Sequence, residues 1–280
     1  MGDFIVQRSR ASVGRLVVGG PTSAPGGSPP AGSPPAGSPP AGSPPASGDP
    51  EFGNVIFLSD FEGSDGSTTL NEQSPFGRSI VFGGGSSISN TQAKYGSTSV
   101  SIGTLSGITV DSETGNDFEL AANDFTLEMD VYFTLPFPRT VALWSKSNDL
   151  GFGLPSNSFL WTVDGSTMQF GIAVGGNPIY DPIGNFAFTP TLNQWVHLAV
   201  VRQGDNFYAW EDGTLLGTNT NFAGKTVFDT AFANPRIGDT LVGAGSVNGL
   251  GGFVDNARAT LTARYTAPFT PPTGPHPTST

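Results

Sequence analysis

The stretch Phe125-Thr126-Leu127-Glu128-Met129-Asp130-Val131-Tyr132-Phe133 decides the fold of this chain. Large apolar residues occupy every second position, and Thr126, Glu128 and Asp130 lie between them. A period of two is typical of a strand with one buried face. The stretch therefore predicts a β-strand that turns its apolar face towards a core.

Segments of the same kind follow along the chain. Two pairs of strand-like segments are each joined by Asp-Gly, a dipeptide that favours the positive φ of a tight hairpin turn. The pairs are Phe159–Val163 with Met168–Val174 around Asp164-Gly165, and Phe207–Glu211 with Thr214–Gly217 around Asp212-Gly213. Trp195–Arg202 and Gly252–Ala259 predict two more strands. Since no window carries a helical period, the pattern predicts an all-β, antiparallel two-sheet sandwich, with other barrel or jelly-roll topologies still open.

Charge and hydropathy exclude two classes of partner. The chain has 280 residues with 12 basic and 23 acidic side chains, a net charge of −11, so the field of the whole molecule opposes binding to nucleic acid. No run approaches the ~20 apolar residues of a membrane span. The first residues also lack the apolar core of a standard export signal, which predicts a protein that is made in a cytoplasm and is not exported by such a signal.

Residues 1–20 form a short head that is too small to fold alone. It carries two apolar patches separated by arginines, a composition suited to adding a strand to another subunit or wrapping over its surface. The candidate docking residues are Phe4, Ile5, Val6, Arg8, Arg10 and Arg15. A frayed terminus is the alternative interpretation.

Residues 21–50 are rich in Pro, Gly and Ser, and Gly27 to Pro45 repeat the pentapeptide GSPPA almost perfectly. Pro-Pro pairs favour polyproline II geometry, so the segment predicts a spacer that reaches on the order of 90 Å when fully extended. A Pro-rich ligand for a peptide-binding domain is the rival interpretation. The sandwich is then expected at 51–272, with a C-terminal tail at 273–280.

The sandwich sequence resembles the concanavalin A-like, laminin-G-type jelly-roll modules of bacteriophage tail, fibre and capsid-surface proteins. The matching segments occur in the family's order across nearly the whole body. They are Val55–Gly63, Asp65–Ser67, Ala93–Val100, Asn123–Glu128, Gln194–Arg202, Asp212-Gly213, Pro235–Gly238, Phe253–Arg258 and Ala263–Pro272. The resemblance implies an antiparallel jelly-roll sandwich, here preceded by an extended anchor and a Pro-rich linker.

The resemblance and the N-terminal segments together predict a bacteriophage structural protein. The head would dock to capsid or tail subunits, the linker would act as a stalk, and the module would be displayed in multiple copies on a virion assembled in the host cytoplasm. The module either decorates the particle or holds it loosely to cell-surface glycans. The alternatives are a carbohydrate-binding receptor-recognition protein and a glycosidase.

Glu128 and Asp130 are the residues to test for glycosidase activity. The resemblance implies this because glycosidases of the fold carry paired carboxylates two apart on one strand, followed by a third acidic residue. Here the third position is Tyr132. The carboxylates are therefore interpreted as the solvent face of an amphipathic strand, and the chain is predicted not to be an enzyme, with structural calcium as its one candidate cofactor.

The resemblance also implies a place for structural calcium. Several related sandwiches bind calcium near the segment of Asp255, with Asp60 or Glu62 and the Gly96 carbonyl as the companion ligands here. The alternative is that Asp255 caps a turn or pairs with Arg258.

His197 and the tryptophans complete the candidates. His197 is interpreted as a structural or partly exposed strand residue, because the only other histidine, His276, lies in the predicted tail. Tryptophans can stack on sugar rings when exposed, and Trp210 on a hairpin arm is the candidate ligand-binding residue, although alternating aromatics are more often core.

Overall fold

The computed structural model describes residues 48–111, 118–136, 140–149, 157–173, 180–228, 233–242, 245–247 and 249–280. The predicted docking residues of the head, and the linker as far as residue 47, lie outside these ranges. A single 3-10 turn, Phe52–Asn54, precedes the first strand. None of the helices in the described ranges has the length and apolar character needed to cross a membrane.

The described ranges contain eighteen strands. They are β1 (Val55–Ser59), β2 (Thr69–Asn71), β3 (Ser79–Phe82), β4 (Ser87–Ser89), β5 (Ser99–Ile102), β6 (Ile108–Val110), β7 (Phe125–Phe133), β8 (Thr140–Asp149), β9 (Asn157–Asp164), β10 (Thr167–Ala173), β11 (Tyr180–Ala187), β12 (Trp195–Gln203), β13 (Asn206–Glu211), β14 (Thr214–Asn219), β15 (Pro235–Ile237), β16 (Thr240–Val242), β17 (Gly245–Val247) and β18 (Gly252–Thr260).

The strands form two facing sheets. Sheet I has 8 strands in the order β14-β13-β12-β7-β18-β5-β4, with β1 also paired to β18. Sheet II has 10 strands in the order β11-β10-β9-β8-β15-β6-β3-β2, with β16 and β17 beside β8. Strand pairs are antiparallel except β16 with β8. The predicted all-β, antiparallel two-sheet sandwich is confirmed.

The alternation that predicted β7 sets its packing. Phe125, Leu127, Met129, Val131 and Phe133 are fully buried and belong to the core between the sheets. Because successive side chains of a strand point to opposite faces, Thr126, Glu128 and Asp130 must point away from that core. β7 lies at the centre of sheet I, paired with β12 on one side and β18 on the other.

Both predicted Asp-Gly hairpins are present. β9 pairs with β10 around Asp164-Gly165, and β13 pairs with β14 around Asp212-Gly213. Asp212 and Gly213 have φ of 47° and 73°, and Gly165 has φ of 58°. The left-handed conformation matches the twist of a tight hairpin, which is why the dipeptide predicted the turns correctly.

A third layer covers the outer face of sheet I. The C-terminal segment (residues 261–280) follows β18 and folds back across β7, β12 and β13. Phe269 packs on Trp210 with ring centroids 5.6 Å apart, and its backbone N–H donates to the Gly213 carbonyl at 3.1 Å. A Cβ at Gly213 would lie 1.8 Å from the Phe269 carbonyl oxygen, so glycine is needed there for contact as well as for the turn. A second apolar cluster, centred on Ala199, Val201 and Trp210, therefore forms outside the main core.

The ends of the described chain meet on this layer. Asp49, from the predicted linker, is 4% exposed, and its backbone N–H donates to the Ser279 carbonyl at 2.7 Å. His276, from the predicted tail, is 5% exposed, and its N–H donates to the Asn256 side chain at 2.8 Å. Asp49 and His276 thus pack on the sandwich, because buried polar partners on and beside β18 hold them there.

Candidate functional site

The paired carboxylates of β7 lie beneath the C-terminal segment, and this corrects their interpretation as a solvent face. Glu128 and Asp130 are both 0% exposed. Arg258 donates from Nε to Glu128 Oε1 at 2.8 Å, and the Tyr265 hydroxyl donates to Oε2 at 2.8 Å. Burial alone would raise the pKa of Glu128, but the Arg258 charge opposes it and holds that pKa well below its usual range.

His197 stands between the two carboxylates. Its register partner across β12 and β7 is Asp130. Its Nε2 is 3.4 Å from Glu128 Oε2, and its Nδ1 is 3.7 Å from Asp130 Oδ1. Burial lowers the pKa of His197, but Asp130 and Glu128 outweigh this and raise the pKa to about 9. The residue is structural, as one of its two interpretations held, and it is fully buried.

Arg258 connects this cluster to the start of the sandwich. The Nη1 atom of Arg258 is 2.9 Å from Asp49 Oδ2. Arg264 donates from Nη1 to Asp49 Oδ1 at 3.1 Å and from Nη2 to Oδ2 at 2.8 Å. Sequence reasoning missed this network, since it joins Asp49 to residues more than two hundred positions away. The one available signal was Arg258 as the alternative partner of Asp255, and the structure pairs it with Glu128 and Asp49 instead.

Asp255 on β18 belongs to the same cluster, because it is the register partner of Asp130 on β7. Its Oδ2 accepts the backbone N–H groups of Lys94 at 2.8 Å and Tyr95 at 3.2 Å. Burial raises the pKa of this carboxyl, the two N–H donors lower it, and the Asp130 charge raises it again, for a result of about 8. Asp255 therefore caps the loop that precedes β5, which is the first of the two alternatives to calcium binding.

The predicted calcium ligands make protein contacts of their own. Asp60 accepts the Glu62 N–H at 3.2 Å and the Gln73 side chain at 2.9 Å. Glu62 accepts the N–H groups of Ser97 at 2.7 Å and Thr98 at 3.1 Å, directly beside Gly96. In the described part of the chain, no three His, Asp or Glu side chains are grouped as metal ligands. Calcium stays a prediction that the arrangement of Asp60 and Gly96 does not favour.

The cluster is closed to a substrate. Retaining and inverting glycosidases need two carboxyl groups flanking the bond to be cleaved. Here the C-terminal segment lies over both carboxylates, with Tyr265 bonded to Glu128 and with Phe269 edge-on to His197 at 6.0 Å between centroids. In this arrangement the cluster stabilises the fold and cannot contact a glycan.

Trp210, the predicted ligand-binding residue, is 0% exposed. It lies between Tyr208 and Phe269, with ring centroids 6.2 and 5.6 Å away. Trp144 and Trp161 are fully buried in the main core as well. Trp210 is therefore a packing residue, the alternative that its alternating pattern favoured, because the C-terminal segment covers its face of the strand.

Trp195 is the one tryptophan with exposed surface, and it belongs to a row that crosses sheet I. Trp195 on β12 pairs with Tyr132 on β7, which pairs with Phe253 on β18. The row continues to Ser101 on β5 and Ser87 on β4. All five residues are partly exposed. We call Trp195, Tyr132 and Phe253 the aromatic row.

The geometry of the aromatic row presents rings side by side. Tyr132 meets Trp195 edge to face at 5.4 Å and Phe253 edge to face at 5.9 Å between centroids. Adjacent strands lie ~4.8 Å apart, so Trp195 and Phe253 stand roughly 10 Å apart on either side of Tyr132. The three rings hold one another in place, and the hydroxyl groups of Ser101 and Ser87 continue the same row. Such a surface can accept flat ligands that have an apolar face and a polar rim.

Comparisons with known proteins identify a family for this chain and several solved structures of similar fold. The sequence model of the concanavalin A-like lectin/glucanases superfamily (Laminin_G_3) matches residues 103–264, more than half of the chain. A comparison with curated protein sequences finds no match.

Three solved structures illustrate the similarity in fold. The binding domain of Paraclostridial Mosquitocidal Protein 1 is 12% identical, with a TM-score of 0.53 over 76% of this chain and 50% of that one. The botulinum neurotoxin serotype G binding domain is 11% identical, with a TM-score of 0.55 over 75% and 48%. The botulinum neurotoxin serotype D ligand binding domain, solved in complex with N-acetylneuraminic acid, is 10% identical, with a TM-score of 0.55 over 76% and 48%.

The chain spans about half the length of these structures. At such low identity they show the fold alone. The match to the family model, together with the two-sheet architecture, makes this chain a member of the concanavalin A-like lectin/glucanases superfamily.

Proposed function

We propose that this chain is a carbohydrate-binding protein whose sandwich contacts neutral glycans through the aromatic row. The observation that carries the proposal is the alignment of Trp195, Tyr132 and Phe253 across three adjacent strands with part of each ring exposed. A sugar ring has an apolar C–H face and a rim of hydroxyl groups. Aromatic rings bind the first, and Ser101 and Ser87 offer hydrogen bonds to the second.

Charge favours neutral over acidic sugars. The aromatic row and its two serines carry no ionisable group other than the Tyr132 phenol, and the whole chain has a net charge of −11. An anionic sugar would be repelled by that field without a cation in the row to offset it. The serotype D neurotoxin domain was solved with N-acetylneuraminic acid, but the proposed ligand class for this chain is the uncharged glycan.

We expect Trp195→Ala to weaken glycan binding about tenfold or more, since a central contact tryptophan contributes about 1.4 kcal/mol or more to binding. Binding to an array of neutral and sialylated glycans, followed by titration calorimetry on the best neutral ligand, measures the change. Phe76→Ala is the matched control because Phe76 is 49% exposed and lies outside the row. Equal affinity of the two variants, or selective binding of sialylated glycans, would contradict the proposal.

Binding without hydrolysis is part of the proposal. The only carboxylates that sequence analysis marked for catalysis, Glu128 and Asp130, lie under the C-terminal segment and are 0% exposed. Incubation of the protein with its glycan ligand should release no reducing sugar. Release that survives Glu128→Gln would place an active site elsewhere.

Display on a bacteriophage particle remains a prediction from the sequence. One structural feature favours display from a linker: Asp49, at the junction, is anchored to Arg258 and Arg264, which gives the stalk a fixed point of attachment. Multiple copies on a particle would let weak glycan contacts add through effective concentration.

Deleting residues 1–20 should leave the sandwich folded, because its main core cluster is built from residues between Ile56 and Ala259, and should remove the protein from purified particles. Circular dichroism and particle composition by gel electrophoresis measure the two results. Normal incorporation of the truncated protein would overturn the anchoring role of the head.

A further inference from the structure

A polar groove lies on the outer face of sheet II, away from the aromatic row. It has a volume of ≈ 310 Å³ and is lined by residues of the neighbouring strands β9, β10 and β11. Along β9, Phe159, Trp161 and Val163 point into the core, so the residues between them point out to this face. Its volume falls at the small end of ligand sites, which span about 300–1,000 Å³.

The groove is built from two parallel rows in register. Thr162 pairs with Gln169, which pairs with Asn185, and these three form a polar row. Two residues further along β9 and β10, and three along β11 because the register shifts there, Gly171 lies between Leu160 and Pro182 and forms an apolar row. A hydroxyl and two amides thus run beside an apolar strip with no side chain at its centre.

The amide groups of Gln169 and Asn185 are free to meet a ligand. Neither makes a hydrogen bond to the described residues, and both side chains are at least partly exposed. Each amide offers a carbonyl acceptor and two N–H donors, a set that matches the hydroxyl groups of a sugar. The lining contains no ionisable side chain, and Asp181 beside Pro182 is paired with Lys225 at 2.9 Å. Such a lining suits an uncharged ligand.

A peptide strand is a poorer occupant than a sugar. Strand addition would use the free edge of β11, the last strand of sheet II. The side-chain amides of Asn219 and Asn221 already bond the Ile183 carbonyl on that edge at 2.8 and 2.9 Å. A ligand on this side must therefore lie on the face of the sheet, where the polar and apolar rows are.

We infer that the groove of Leu160, Thr162, Gln169, Gly171, Pro182 and Asn185 is a second binding site for a neutral sugar. The C–H face of one pyranose ring packs on Leu160, Gly171 and Pro182, and its hydroxyl groups bond Gln169 and Asn185. The ligand class rests on the proposed function, while the site is separate from the aromatic row. With one site on each sheet, a single module can link two glycan chains.

The test is an NMR titration of the uniformly ¹⁵N-labelled protein. The probes are neutral oligosaccharides: cellotetraose, laminaritetraose, maltotetraose, mannotetraose and galactotetraose. The expected result is two groups of perturbed signals, one around Trp195 and one that includes the Gln169 and Asn185 side-chain amides. Gly171→Val should fill the groove and remove the second group while leaving the first, and Trp195→Ala should do the reverse.

A milder pair of variants keeps the test decisive if Gly171→Val does not fold. Gln169→Ala and Asn185→Ala should each weaken groove binding about tenfold, with Thr214→Ala on the exposed strand β14 as the control. If no probe shifts the groove amides while Trp195 responds, the second site is wrong and the proposed function stands. If the groove responds and Trp195 does not, the second site stands and the aromatic row is wrong.

Discussion

Replacing Arg258 by Met is expected to lower the free energy of unfolding by about 3–5 kcal/mol, because it leaves a buried carboxylate without its cation. Arg258 is 5% exposed and contacts Glu128 at 2.7 Å and Asp49 at 2.9 Å. After the substitution, Glu128 would keep the Tyr265 hydroxyl and the neighbouring imidazoles of His197 and His276. Urea unfolding followed by tryptophan fluorescence measures the loss as a shift of the transition midpoint.

The matched control for Arg258→Met is Lys225→Met. Lys225 pairs with Asp181 at 2.9 Å, the distance of Arg258 from Asp49, but the two side chains are 29% and 34% exposed. An exposed pair contributes about 0–1 kcal/mol, so this variant should be nearly as stable as the parent. The double variant with Glu128→Gln and Arg258→Met should regain part of the loss, since it removes the unpaired charge. Equal effects of the two single variants would mean that burial does not set the strength of the Arg258 network.

The parts of the fold that follow from local pattern were predictable. The alternation in β7 and the two Asp-Gly turns each depend on residues close in sequence, and both are present as expected. Alternation also identifies correctly which side chains of β7 point away from the core. Alternation does not reveal whether another segment covers those side chains. A period of two shows to which face of the sheet a side chain points, but not whether that face is exposed to solvent.

The C-terminal segment explains why the predicted solvent exposure of Glu128 and Asp130 was wrong and why the candidate Trp210 is a packing residue. Glu128, Asp130 and Trp210 all point outward from sheet I, as the pattern indicates, yet each is 0% exposed. Their cover comes from residues such as Tyr265 and Phe269, which sit in a Pro-rich stretch with no strand pattern of its own. Only the contacts between distant parts of the chain distinguish a solvated face from a buried one.

The aromatic row escaped sequence analysis for a related reason. Tyr132, Trp195 and Phe253 come from three strands that are far apart in the chain, and they form a row only through the register of those strands. In the sequence, Trp195 only begins a predicted strand, and Tyr132 stands where glycosidases of the fold carry a third acidic residue. Register depends on long-range pairing, which one sequence does not specify.

The buried ionisable groups of sheet I also predict how stability depends on pH. His197 has its pKa raised from 6.5 to about 9, and Asp255 from 3.8 to about 8. Each binds its proton more tightly in the folded state, so the stability it contributes is lost as pH rises towards the folded pKa. The acid side has opposing groups. Burial lowers the pKa of His276 from 6.5 to about 3, so this residue favours the folded state as pH rises towards 6.5. The pKa of Glu128 is also lowered, so Glu128 favours the folded state as pH rises towards its ordinary value of 4.5.

We therefore expect the free energy of unfolding to fall by roughly 5 kcal/mol between pH 6.5 and 9, since His197 loses stability over the whole range and Asp255 up to pH 8, and each pKa unit corresponds to about 1.4 kcal/mol. Urea unfolding at half-unit steps of pH measures the slope. His197→Gln and Asp255→Asn should each flatten it, because neither replacement titrates and both can keep a hydrogen bond to their neighbours. His276→Gln is the control from the same cluster: it should change the slope below pH 6.5 and leave the alkaline slope as it was. If the free energy of unfolding still falls above pH 6.5 in the double variant of His197 and Asp255, another group must release the proton that causes the fall.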